Sequence, residues 1–107
     1  MAAYLIVNFD VDDPDTYKQY QKGAVPSLGI GEGAKLVAYD TATKQVEGED
    51  AGHQTVVLEY PSVEEAQAAY DSEAYQEVLP LRFQATSKHF GLIVKGAVPR
   101  TPSAPGA

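Results

Sequence analysis

Two histidines, His53 and His89, are the side chains of this sequence whose ordinary pKa lies nearest neutrality, and there is no cysteine. Thiolate nucleophiles, thiolate metal sites and disulfides are therefore excluded, which leaves acid–base and positioning chemistry. Glu59 ends an apolar stretch, QTVVLEY, where burial raises a carboxyl pKa and suits it to move a proton beside a carbonyl. His89 stands just before FGLIV and completes such a pair: a carboxylate raised by burial and an imidazole lowered by it can exchange roles near pH 7. Arg82 follows an expected helix break, placed to clamp a substrate carboxylate bidentately. Each has a structural alternative: a half-exposed strand-end histidine, a Glu59 ion pair with Lys35 or Arg82, and an arginine capping helix carbonyls or pairing across subunits. His53, at a loop-to-strand junction, reads as surface.

Of the seven tyrosines, Tyr17, Tyr20 and Tyr60 keep helical or strand spacing and read as core. Tyr4, Tyr70 and Tyr75 are the candidates for lining a pocket with a hydroxyl turned inward. Asn8 and Lys35 join them as binding candidates. The histidines and Glu59 carry no metal-ligand spacing, and neither a metal nor a cofactor is expected. Gly29-Ile30-Gly31-Glu32-Gly33 superficially resembles a phosphate loop. It follows a helix and precedes a strand, the wrong order, and Glu32 repels phosphate.

The elements that must position these groups are well punctuated. Residues 3–9 (AYLIVNF) read as a strand. Asp13 caps a helix whose first residue is Pro14; Tyr17, Tyr20, Ala24 and Leu28 share one face, and Pro26 is expected to break it. Residues 34–40 (AKLVAYD) and 54–60 (QTVVLEY) are the second and third strands, joined by a polar hairpin loop. Ser62 and Glu65 form a capping box for a second helix, and Ser72 caps a short helical piece that Pro80 interrupts. Residues 90–94 (FGLIV) are the last strand. The order β-α-β-β-α-β is that of the ferredoxin-like split βαβ sandwich, two helices on one face of a four-stranded antiparallel sheet, α+β in class. It occupies 1–96, and 97–107, with three prolines, reads as a disordered Pro-rich tail.

A sheet with helices on one face must use the other. Leu5, Val7 and Phe9, with Val56, Leu58 and Tyr60 and with Phe90, Leu92 and Val94, are expected to meet the helices. Tyr4, Ile6, Asn8, Thr55, Val57, Glu59, His89, Gly91 and Ile93 then form a mixed second face. That face is too apolar for solvent and reads as the interior of a dimeric barrel, with Glu59 and His89 flanking Asn8 across one cavity. The register of strand four is the sensitive point, because a one-residue slip turns His89 outward.

Tyr4, Asp13-Pro14-Asp15 with Tyr17 and Tyr20, Glu47-Gly48, Leu58 through Ser62, Tyr70-Asp71-Ser72, Tyr75-Gln76 and Leu81-Arg82 together resemble the family called domain of unknown function 1330, over residues 2–96. Such proteins are similar to the dimeric α+β barrel superfamily, which implies a homodimer with a pocket in each sheet. The superfamily hosts many chemistries, so the resemblance implies no particular one. Gly33-Ala34-Lys35 stands where the family usually has Gly-Gly-Arg, Ala38-Tyr39-Asp40 replaces a glycine-rich strand end, and Ala69 replaces a common tryptophan. A pocket built on those positions is reshaped.

A net charge of −7 repels nucleic acid and anionic membranes, and two arginines make no phosphate track. No apolar run reaches the ~20 residues of a membrane span, and no basic secretory start is present, so the cytoplasm is the expected location. The function expected is a small cofactor-independent enzyme of isomerase, cyclase, lyase or oxygenase type. It would act on an enolisable or aromatic metabolite in the barrel pocket through Glu59, His89 and Arg82. The alternative is a non-catalytic homodimeric barrel that binds a small molecule.

Overall fold

β-Branched and aromatic residues open the chain as β1 (Ala3–Val11), after which Asp13 caps α1 (Pro14–Ser27) by accepting the Thr16 backbone N–H at 3.2 Å. The computed structural model describes residues 2–97. All but the first residue of the expected Pro-rich tail therefore lies outside the described residues. α1 stops one residue past Pro26, and Gly29, at φ 75°, supplies the left-handed turn that leads out of it. β2 (Lys35–Asp40) and β3 (Gln54–Tyr60) follow. Ser62 then caps α2 (Val63–Asp71), its Oγ accepting the Glu65 N–H at 3.1 Å.

The short helical piece expected after Ser72 is a full helix, α3 (Glu73–Ala85), in which Pro80 is an interior residue. Proline there forfeits the bond to the Gln76 carbonyl. The buried face of Tyr75, Leu79, Arg82 and Ala85 offsets that loss, at roughly 1.5–3 kcal/mol for each large apolar side chain. α3 runs directly into β4 (Thr86–Lys95), longer than the 90–94 expected.

The strands pair antiparallel in the order β2-β3-β1-β4, the ferredoxin-like α+β arrangement. The core lies between the helices and the face bearing Leu5, Val7, Phe9 and Leu58; Tyr17, Tyr20, Ala24 and Leu28 of α1 join it, as their spacing requires. α1 and α3 approach closely at Gly23, where a Cβ would collide with Val78.

The faces of β4 are the reverse of those expected. Asn8 pairs with Phe90, Ile6 with Leu92 and Tyr4 with Val94, so these three apolar residues lie on the open face, 46%, 51% and 38% exposed. Gly91 and Ile93 instead face the helices. The cause is a bulge: two steps along β1, from Asn8 to Asp10, are matched by three along β4, from Phe90 to Ser87. Lys88 absorbs the extra residue at φ 55°. His89 is thereby removed from the open face; its exposed ring stacks on Phe83 of α3 with centroids 4.7 Å apart.

Candidate functional site

Between the sheet and α1 lies a cavity of about 140 Å³ with almost wholly apolar walls. Leu5, Val7, Phe9 and Leu58 supply its sheet side; Tyr17, Tyr20 and Ala24 of α1 and Tyr75 of α3 supply the helix side. A dry engineered cavity of about 150 Å³ accepts one benzene ring, so this space has single-ring dimensions.

The polar atoms of this site belong to tyrosines and two glutamines. The Tyr20 and Tyr75 hydroxyls are 2.7 Å apart and buried. Tyr17 accepts a hydrogen bond from Gln54 Nε2 at 2.8 Å, and the same amide reaches Tyr39 Oη at 3.4 Å. Gln21 donates to Tyr39 at 2.9 Å, which ties α1 to β2 on the side where Tyr39 is half-exposed. Burial pushes the Tyr17, Tyr20 and Tyr75 phenols above their ordinary pKa, and the Arg82 charge works against burial at all three. These hydroxyls are neutral donors at any physiological pH.

Arg82 is not at a cavity mouth, as its position after a helix break suggested. It is 2% exposed, packed within the core. Its guanidinium carbon lies 5.4 Å from the Phe9 ring centroid, 5.9 Å from that of Tyr20 and 5.4 Å from that of Phe83. Nε and Nη1 are buried and have no hydrogen-bond partner among the described residues. These two atoms cap no helix carbonyl, and Glu59, whose expected alternative was an ion pair with Lys35 or Arg82, does not reach them.

The other sequence candidates are dispersed. Glu59 sits on the open face opposite Tyr4 and beside Lys35. As hydrogen-bond acceptor and as a negative charge, its carboxylate raises the Tyr4 phenol. With Lys35 it borders a broad open groove rather than an enclosed pocket. His89 is on the other side of the sheet, so Glu59 and His89 do not share a cavity. Asn8 is fully engaged, donating to Gly52 O and Thr55 Oγ1 and accepting from Gly52 N, which pins the β2–β3 loop. Tyr70 borders a shallow depression with Gln67 and Ile93. His53 is a surface residue, its Nδ1 2.9 Å from Asp10 and its Nε2 accepting the Val11 N–H. Among the described residues no three His, Asp or Glu side chains converge as metal ligands.

Of the sequence candidates for the pocket, Tyr75 alone lines this cavity. Tyr17 and Tyr20 are core residues as expected and also cavity walls. The signal for that second role was tyrosine, not phenylalanine, at buried helix positions, each with a hydroxyl that needs a partner.

The family model described as "Domain of unknown function (DUF1330)" matches residues 2–97. No curated protein matches the sequence. Among solved structures, a protein of unknown function from Rhodopseudomonas palustris aligns with TM-score 0.68 at 19% identity, over 92% of this chain and 84% of that one. SnoaB, a cofactor-independent oxygenase from Streptomyces nogalater, aligns with TM-score 0.60 at 8% identity, over 96% and 98%. A dimeric ferredoxin-like protein of unknown function from Thermobifida fusca aligns with TM-score 0.57 at 16% identity, over 87% and 89%. At these identities the likeness is one of fold. Among the described residues no helix is long and apolar enough to cross a membrane.

Proposed function

The chain belongs to the DUF1330 family, and from that premise we propose that it is a small cytoplasmic enzyme of the cofactor-independent kind. It acts on a single-ring enolisable or aromatic metabolite held between the sheet and α1. The observation that carries this reading is the apolar cavity, of one-ring size and partly open beside Val25, Leu36 and Tyr39, walled by Tyr17, Tyr20 and Tyr75. The fold shared with a cofactor-independent oxygenase is consistent with it. The chemistry is positioning and hydrogen bonding to an oxygen that gains charge while solvent water takes up the proton, because Glu59 and His89 lie outside the cavity.

The same reading makes the protein a homodimer through the open sheet face. Phe90, Leu92 and Val94, with Ile6 and Val57 beside them, form an apolar strip that a monomer would leave in water. A dimeric protein of the same fold supports this assembly.

One observation favours the non-catalytic alternative, a barrel that binds without turnover: among the described residues no group that titrates near neutrality lines the cavity. Solvent-deuterium exchange into cyclic ketones, followed by NMR, separates the two. Catalysed exchange at the carbon beside the carbonyl, lost when Ala24→Leu fills the cavity, supports the enzyme. Saturable binding without exchange or any other turnover supports the binder. Absence of binding by any single-ring compound overturns both.

A further inference from the structure

The cavity and its surroundings are supplied unequally with hydrogen-bond donors and acceptors. In the Tyr20–Tyr75 pair one hydroxyl donates to the other, so one phenolic proton is left without an acceptor. Tyr17 accepts from Gln54, and its own proton has no acceptor among the described residues. Behind Phe9 and Tyr20 lies the Arg82 guanidinium with Nε and Nη1 unpartnered and buried. No carboxylate lines the cavity among the described residues, and the salt bridges found there join His53 and Lys88 to Asp10, not Arg82 to anything. A buried guanidinium without a counter-ion is costly to a fold. Three aromatic rings face it but carry no negative charge, which a bound anion would supply.

We propose that the cavity selects a single-ring compound bearing one oxyanion, a carboxylate or a ring enolate or phenolate, with the Tyr20–Tyr75 hydroxyl pair and Arg82 forming the receptor for that charge. This rests on the reading of the cavity as the ligand site and adds its charge specificity. The ring fills the space among Leu5, Val7 and Leu58. Its oxyanion accepts the free phenolic proton and is held by the guanidinium field. Arg82 is one side-chain layer behind the cavity wall, so it acts as a positioning charge and not as a contact. The same arrangement would stabilise an enolate as a water molecule entering the partly open cavity takes up the α-proton, because the donors stay neutral and the cation stays fixed while the ligand gains charge. With a net charge of −7, an anion gains nothing from the surface as a whole, so its recognition must come from this internal cation.

The test is calorimetric titration with benzoate and with benzamide, its neutral counterpart of the same size. Benzoate should bind the wild-type protein at least about tenfold more tightly, the low end for a charge-assisted hydrogen bond. Arg82→Met should abolish that preference while keeping benzamide binding, with a Tm unchanged or higher because an unpaired buried charge has been removed. A lower Tm with the preference retained makes Arg82 a structural residue and overturns the proposal. Equal affinity of the wild-type protein for the two compounds also overturns it, and leaves the cavity as the ligand site. Failure of both to bind overturns that underlying reading and the proposal with it. Should Arg82→Met not fold, the wild-type preference and its reduction in Tyr20→Phe decide the matter.

Discussion

The hydroxyl of Tyr20 on α1 meets that of Tyr75 on α3 at 2.7 Å, inside the core and across 55 residues of sequence. This bond joins the two helices beside the close approach at Gly23, and the two rings meet edge to face at 6.2 Å.

Removing one hydroxyl leaves the other buried with no partner. Tyr20→Phe and Tyr75→Phe should each destabilise by about 1–3 kcal/mol, whereas the double variant should cost clearly less than their sum. Urea unfolding of the four proteins reads the coupling. Additive losses would mean that the two hydroxyls do not share a bond.

Ala24 is 4% exposed and forms part of the cavity wall. Ala24→Leu should occupy the space, keep or raise stability by up to about 2 kcal/mol, and abolish binding of single-ring compounds. Thermal melts and titrations on one sample check both halves. A lower Tm with binding intact would show that the space is not where the ligand sits.

Leu92, 51% exposed on the open face of the edge strand β4, should be a principal contact of the proposed homodimer. The wild-type protein should scatter light as a dimer at about 10 µM, in the range where a standard-size interface stays closed. Leu92→Asp should shift the mass to that of a monomer, since an aspartate pair in a closed apolar interface is desolvated and repulsive. A wild-type monomer at that concentration would refute the assembly.

Stability should fall steeply in alkali. Burial raises the phenols of Tyr17, Tyr20 and Tyr75, and that of Tyr60 to about 12, above the ordinary value of 10.0. Such groups bind their proton more tightly when folded. Their contribution is therefore complete below pH 10 and is lost as pH rises through the folded values. Tyrosinate absorbance should show these four ionising together with unfolding, above the pH at which exposed tyrosines titrate. Ionisation of all seven in one step near pH 10, with the fold intact, would contradict the burial.

What the sequence determined by itself was local. Asp13 before Pro14 and Ser62 before Glu65 form their caps with neighbours three residues away, so the helix starts were legible. Tyr17, Tyr20, Ala24 and Leu28 went to the core because helical period alone puts them on one face. Strand order followed from the element order, since few topologies suit β-α-β-β-α-β. Tertiary structure decided the rest. On β4 both alternating sets, Phe90-Leu92-Val94 and Gly91-Ile93, were apolar enough for either face. The choice was made by pairing with β1 and by one extra residue at Lys88, which no local signal marks. Arg82 read as a substrate clamp after a helix break, or as a helix cap or intersubunit partner. Its burial comes from Phe9, Tyr20 and Phe83, which converge from three parts of the chain to surround it. The cavity is likewise a property of packing: it is the volume that α1 and the sheet leave unfilled, and no single segment of sequence contains it.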